Sequence, residues 1–275
     1  MAFNDIEISE FYEPVELFKF SRGVANWYYT SSDIDIDFGG NTYLAEPIQR
    51  SKIVSTQEIG KTTLKINMSI RNVFANQFIE QSPTDIIRVE ITRFHTNELD
   101  PATTFRGRLV NVEFAENEIV LTCQPSLSSL RRPGLRKLYQ TACPHVLYGA
   151  PCSLSRNTFA VETILTAVNG LVLSSGDFNI SIDPTYDATW FSGGFIELNQ
   201  GGLINRRFIT DHDNASGAIT INLPLSGAVV GASVTAFPGC DHSPATCHEK
   251  FNNILNYGGF PYIPQKNPMN GTSVF

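Results

Sequence analysis

Apolar and polar residues alternate through much of the first half of this chain. Leu64, Ile66, Met68 and Ile70 interleave with Lys65, Asn67 and Ser69, and a period of two predicts a strand over 60–70 with one buried face. The same period over 33–38 puts Ile34, Ile36 and Phe38 on one side and Asp33, Asp35 and Asp37 on the other. That is a half-buried strand, turning at Gly39, Gly40 and Asn41 into a second strand over 42–44. Further strands are predicted over 86–94, 104–114 and 118–123, the last two joined by a turn at 115–117. Only 73–81 reads as a helix, because Phe74 and Phe78 lie four apart on one face. Short strands at this spacing with one small helix predict an antiparallel sandwich or barrel.

The alternation lapses between about 125 and 158 and then returns, with strands predicted over 159–165, 170–174, 177–182, 194–199, 203–210, 217–223 and 232–237. NQGG at 199–202 and DHDNASG at 211–217 are turn sequences, so Asp211, His212 and Asp213 are read as a hairpin end and not as a metal site. Asp33, Asp35 and Asp37 lack the glycine and terminal glutamate of a calcium loop and are read as a solvated strand face. The lapse marks a boundary: Arg131, Arg132, Arg136 and Lys137 crowd around Pro133 and Gly134, as in a solvated linker. The expected architecture is mainly β in two domains. Residues 1–135 form an antiparallel barrel or sandwich, and residues 136–275 a second, small barrel-like domain with a short C-terminal helix.

Charge refines this division. The chain carries 20 basic and 27 acidic side chains, net −7, which argues against a general nucleic-acid binder, since phosphate neutralisation needs a basic face. Residues 143–275 hold only 5 basic and 9 acidic side chains but 14 of the 20 glycines, a composition suited either to tight β turns or to a surface lying against neighbours. No apolar run approaches the ~20 residues that span a bilayer, and the acidic start MAFNDIEISEFYEP is unlike a basic signal peptide. Folding in the cytoplasm is therefore expected. There, five cysteines are metal ligands or core thiols before they are disulfides.

Cys123 falls in phase with Ile119 and Leu121 and is assigned to the core. The other four come in two proline-flanked pairs. Cys143 and Cys152 lie in TACPHVLYGAPCSLS, and Cys240 and Cys247 lie in PGCDHSPATCHEKFNN. Ser243 and Pro244 read as an N-cap and first helical residue, which puts Cys247 in the first turn of a short helix, where the helix dipole is expected to lower its pKa. Four thiols in irregular segments are the material of a four-thiolate site. With eight residues inside the first pair, 87 between pairs and six inside the second, spacing leaves zinc and an iron-sulfur cluster open, although structural zinc sites usually carry a closer knuckle. A cysteine peptidase would need a thiol paired with a histidine base. Cys143 with His145 and Cys247 with His248 are neighbours in sequence only, and no nucleophile motif accompanies them. No phosphate-binding glycine loop, zincin motif or dinucleotide fingerprint is present, so no enzymatic activity is expected.

The string GCDHSPATCHEKFNN, followed by NYGGFPYIP, resembles the carboxyl-terminal signature of the tail tip protein L type of long-tailed phages, a group shared with gene transfer agent baseplate hubs. The resemblance is densest over 238–264 and weaker over 143–152, and it departs from the family pattern at Gln265, where glycine is expected. It implies that Cys143, Cys152, Cys240 and Cys247 hold a [4Fe-4S] cluster, with zinc as the alternative. It also implies a structural virion protein of the tail tip or baseplate hub, a homotrimeric ring through which genomic DNA passes. Its partners would be a distal tail protein and a central fibre or receptor-binding protein. The cluster is expected to staple the C-terminal helix to the linker, with the arginines around 131–137 available to offset its negative charge. The segment after Gly258, with Pro261, Pro264 and Pro268, is expected to be an extended arm.

Overall fold

The computed structural model describes residues 14–54, 63–80, 83–95, 98–131, 134 and 138–263. The chain divides into two compact units, residues 1–133 with 201–203 and residues 134–200 with 204–275. No helix among the described residues is long and apolar enough to cross a membrane.

In the first unit β1 (Pro14–Arg22) and β2 (Ala25–Thr30) form a hairpin about Gly23, which sits at φ +54°, where a Cβ is strained. After β3 (Ile36–Phe38), β4 (Asn41–Ala45) and β5 (Gln49–Arg50) come β6 (Leu64–Ser69), helix α1 (Val73–Glu80), β7 (Arg88–His95), β8 (Glu98–Phe114) and β9 (Glu118–Pro125). The nine strands make one sheet in the order β3-β4-β2-β1-β7-β8-β9-β6-β5. It is mixed and not purely antiparallel, because β4 runs parallel to β2. The strand expected over 33–38 is shorter than its pattern. Ile34 is exposed, Asp35 accepts the Ala45 N–H at 2.7 Å and Asp37 accepts the Thr42 hydroxyl at 2.6 Å. Aspartate side chains compete here with ladder bonds for the backbone.

Tyr29 of β2 and Leu64, Ile66 and Met68 of β6 share one core with Phe74, Ala75 and Phe78 of α1. Those strands are five steps apart in the sheet, about 24 Å if it were flat. One short helix can reach both only if the sheet curls around it. The result is a half-barrel whose mouth is filled by Phe74, stacked on Phe20 at 4.4 Å and edge-on to Trp27 and Phe78 at 5.2 and 5.3 Å. Cys123 lies fully buried in this core, and burial pushes its thiol up to about 12.

The second unit holds β10 (Val161–Ile164), β11 (Ala167–Asn169), β12 (Val172–Ser174), β13 (Phe195–Gln200), β14 (Leu203–Asp213), β15 (Ala218–Ile221) and β16 (Ser233–Phe237). The sheet order is β10-β16-β13-β14-β15-β12-β11. Its two end strands are consecutive pieces of one segment: β10 pairs with β16, β11 pairs with β12, and only Leu165 and Thr166 intervene. That corner brings the ends of the sheet together, and Leu165, Phe178, Phe191, Ile209, Ile219 and Ala236 fill the interior. The strand expected over 177–182 does not form. Residues Gly176–Phe178 make a 3-10 turn capped by Ser175, and the side chain of Asn214 bonds both the N–H and the carbonyl of Ile180, at 2.5 and 2.8 Å. One amide side chain substitutes there for a neighbouring strand. His212 is buried with a ring nitrogen 2.8 Å from the carbonyl of Phe178, while Asp213 accepts from Ser216 and Ala215, so these residues serve the turn.

Truncating the filler of the half-barrel should be costly. Phe74→Ala is expected to lower the stability of the first unit by about 3–5 kcal/mol, whereas Val73→Ala, at a side chain 73% exposed, should change it by less than about 0.5 kcal/mol. Urea unfolding followed by tryptophan fluorescence would measure both.

Candidate functional site

The four cysteines outside the first core come together in the second unit. A long loop, 138–160, leads into β10, and the segment 238–263 leaves β16. Helix α2 (Pro244–Glu249) opens that segment, with Ser243 as its N-cap accepting the Thr246 N–H at 3.2 Å and Pro244 in its first turn. The loop and the segment are joined by backbone amides and by side chains that donate to backbone carbonyls. Cys143 N–H donates to the His242 carbonyl at 3.0 Å and Phe260 N–H to the Gln140 carbonyl at 2.9 Å. The Tyr257 hydroxyl donates to the Thr141 carbonyl at 2.7 Å and Asn253 Nδ2 to the Cys152 carbonyl at 2.7 Å. Tyr148 reaches the carbonyl of Pro238 at 3.0 Å.

Cys143, Cys152, Cys240 and Cys247 border one small cavity together with Leu147, Leu154 and Phe251. Among the described residues no three His, Cys, Asp or Glu side chains converge as the ligands of a single bound ion do. The thiols surround a space and do not meet at a point. Three of the sulfurs accept hydrogen bonds: Cys143 from the Gly258 amide at 3.4 Å, Cys240 from the His242 amide at 3.3 Å, and Cys152 from Asn253 Nδ2 at 3.7 Å. Donors aimed at sulfur stabilise thiolate character and orient it. The donor set therefore fits a thiolate-bound group, and no carboxylate lines the cavity to compete.

Cys247 behaves differently from the sequence expectation. Its thiol is pushed up to about 11, first by burial and then by the neighbouring Cys240, Cys143 and Cys152. The helix dipole loses here because the Cys247 N–H is already bonded to the Ser243 carbonyl at 3.2 Å, and the sulfur lies among other sulfurs. In this state the thiol donates to the Asn253 carbonyl at 3.2 Å. Cys240 is raised as well, mainly by burial.

Backbone strain is concentrated around the same cavity. Among the described residues the non-glycine residues at positive φ are Tyr148, Ser153, His242 and Asn252, at +59°, +57°, +64° and +47°, and each lies within five residues of one of these cysteines. Such conformations cost on the order of 1 kcal/mol each. They persist because the hydrogen bonds above hold both segments.

Some contributors carry no ligand pattern of their own in the sequence, although Lys250 and Asn253 lie inside the resembling string. Asn253 touches two of the four cysteines, Cys247 through its amide and carbonyl and Cys152 through its side chain. His145 lines the cavity, with Nδ1 3.1 Å from the carbonyl of Asn256. Lys250 is held by the carbonyls of Trp190 and Gly239, both at 2.7 Å, and stands over the rings of Trp190 and Phe251. Burial lowers its pKa to about 8 against the pull of Cys240 and Asp241. Among the described residues it is a cation beside the thiols. Arg132, Arg136 and Lys137 lie outside the described residues, as do Pro264, Gln265 and Pro268. The described start of the expected arm is a turn, Ile263 N–H to the Phe260 carbonyl at 3.3 Å. Phe260 packs on Tyr139 at 4.4 Å, while Tyr262 is 96% exposed.

Gly258 is a tight point of the site, since a Cβ there would stand 2.5 Å from the His145 ring. Gly258→Ala should expel that ring, break the amide bond to Cys143 and destabilise the second unit by about 1–3 kcal/mol, whereas Gly134→Ala, in open space, should be neutral. Thermal unfolding of both variants would compare them.

The comparisons with known proteins divide along the two cysteine pairs. The family model described as "Phage conserved hypothetical protein BR0599" matches residues 189–267, which contain Cys240 and Cys247. An uncharacterized protein of Xylella fastidiosa (strain 9a5c) is 32% identical over 173 residues, 56% of this chain, and the match spans 36% of that relative's length. Among solved structures, a chain from the virion of a native gene transfer agent particle has the same fold. It aligns over 99% of both chains with a TM-score of 0.79 at 20% identity. The model described as "Baseplate hub protein, N-terminal attachment domain" runs through residues 18–155, half of the chain, including Cys143 and Cys152, and the chain belongs to that family.

Proposed function

We propose that this chain is a structural subunit of a phage-type tail, a hub of the tail tip or baseplate of the tail tip protein L type. In this reading Cys143, Cys152, Cys240 and Cys247 hold one [4Fe-4S] cluster. The observation that carries the structural role is the family match over 18–155, supported by a full-length fold likeness to a chain of a gene transfer agent virion. Among the described residues Cys143 and His145 do not pair as a peptidase needs: Cys143 accepts from the Gly258 amide, and His145 is turned to the Asn256 carbonyl. The role proposed is therefore architectural.

The cluster rests on the donor set. Around one zinc ion with Zn–S bonds of ~2.3 Å, four sulfurs would lie about 3.8 Å from one another. Here the four thiols line one cavity with amides directed at three of the sulfurs, which suits a polynuclear group bound by four thiolates. When bound, the cluster supplies four iron-thiolate bonds between the 138–160 loop and the 238–263 segment. The chain's own residues do the rest: Leu147, Leu154 and Phe251 keep water out, and Lys250 offsets negative charge. The zinc-stapled binding module is the competing reading of the same four cysteines. Anaerobically purified protein is expected to be brown, with iron and sulfide in a four-to-four ratio per chain for a [4Fe-4S] centre. Serine at any of the four cysteines should remove the iron, whereas Cys123→Ser should retain it. Stoichiometric zinc without iron or sulfide would overturn the cluster in favour of the module.

In the assembled tail we infer a closed ring, a homotrimer, between a distal tail protein and a central fibre or receptor-binding protein. Identical subunits joined head to tail form a ring with a central channel when the rotation between them closes. An acidic chain suits passage of genomic DNA, because a basic lumen would retain phosphates. Antibody labelling of intact virions is expected at the tail tip, and label confined to the capsid or shaft would end this reading.

A further inference from the structure

On the outer face of β1, β7 and the first half of β8 cations outnumber anions, although the chain as a whole is acidic. Phe18 and Phe20 of β1, Val89 and Ile91 of β7 and Phe105 of β8 point into the half-barrel, so the alternate residues Lys19, Arg88, Glu90, Arg106 and Arg108 point out. Glu90 is matched: it stands opposite Arg106 and pairs with its guanidinium at 2.7 Å. Arg88 and Arg108 are directly opposite each other on adjacent strands, and among the described residues neither meets a carboxylate. Like charges at directly opposed cross-strand positions are destabilising. Ser21 is opposite Arg88 on one side and Gln124 opposite Arg108 on the other, so the row across four strands carries two cations and no anion. Two unspent guanidinium forks at strand spacing are a geometry for carboxylates.

The second unit carries the complementary surface. The Tyr186 hydroxyl donates to Glu249 at 2.7 Å, and both Glu249 and Asp241 act on its titration, raising it. Asp183 and Asp187 close the same turn on either side of Tyr186. These four carboxylates have no cation within 4 Å among the described residues, and the nearby Lys250 is committed to two carbonyls.

We propose that the Arg88–Arg108 row docks the Asp183, Asp187, Asp241 and Glu249 patch of a second copy of this chain, a head-to-tail contact. The inference deepens the reading of the chain as an assembly subunit and rests on it. A second copy is favoured over nucleic acid because Glu90 stands among the cations, where it would repel a phosphate backbone but can join an alternating salt-bridge lattice. A head-to-tail contact uses two different patches, so each copy offers one of each and a ring can close.

The full chain, purified with its cysteines intact, should self-associate at low salt in sedimentation velocity. It should dissociate near 1 M salt, where the screening length falls to ~3 Å. Arg88→Glu with Arg108→Glu should weaken association by about tenfold or more, as should Asp183→Lys with Glu249→Lys. Alone, the first variant is acidic on both patches and the second basic on both, so neither should self-associate, whereas mixed together the two should co-assemble. All four substitutions in one chain should restore association. A wild-type chain that stays monomeric at low salt would overturn the inference while leaving the tail-tip placement to the labelling experiment. So would a mixture that stays monomeric, or a four-fold variant that does not recover. Binding of a labelled DNA duplex that is lost with Arg88→Glu and Arg108→Glu, in a chain that does not self-associate, would replace it with a nucleic-acid surface.

Discussion

The architecture of the second unit depends on a hydrogen-bonded seam between two segments distant in sequence. Neither 138–160 nor 238–263 forms a ladder of its own, so their backbone groups must find partners elsewhere or stay in water. They find each other. The Cys143 amide meets the His242 carbonyl, the Phe260 amide meets the Gln140 carbonyl, and Tyr257 and Asn253 span the remaining gaps through side chains. Four thiols are brought to one cavity as a consequence of that seam.

The strained backbone and the seam explain each other. A residue held at positive φ without glycine is stable only where its surroundings over-determine it. Here His242 gains two bonds from the conformation, its amide to Cys240 Sγ and its carbonyl to Cys143. Gly258 plays the reverse part. Its missing side chain admits the His145 ring, which leaves its amide pointed at Cys143. A cavity lined by sulfur, walled by leucine and phenylalanine and approached by amides is a poor hydrophobic core, since it leaves polarisable groups without close packing.

The first unit is organised on a different constraint, the curling of one sheet around one aromatic side chain. Because Phe74 fills the half-barrel from within, the inward positions of β6 and β9 and most of those on β1 and β7 are apolar, Arg22 being a buried exception, while outward positions away from the Leu17–Tyr43 cluster are free to carry charge. That freedom is what allows an acidic chain to present a basic sheet face. Packing inside and charge outside are separated by the pleat, so the face can be tuned to a neighbour without disturbing the core.

Periodicity made most elements legible from the residues alone. Leu64, Ile66 and Met68, the Phe74–Phe78 pair and the Ser243–Pro244 cap all stand where their patterns placed them, because burial and capping are decided within a few residues. The assignment of Cys123 to a strand face follows from the same local rule. Three other features lay beyond reach: the loss of a strand at 177–182 to the Asn214 side chain, the parallel pairing of β4 with β2, and the upward shift of Cys247. Each depends on a group brought close by the fold from elsewhere in the chain. The sequence by itself determined the strand faces, the helix start and which thiols stand outside regular structure, since these are set by nearest neighbours along the backbone. Only the tertiary structure decided that four thiols share one cavity, that Asn253 and His145 belong to it and that Arg88 faces Arg108. Those are distances through space, and no local pattern encodes them.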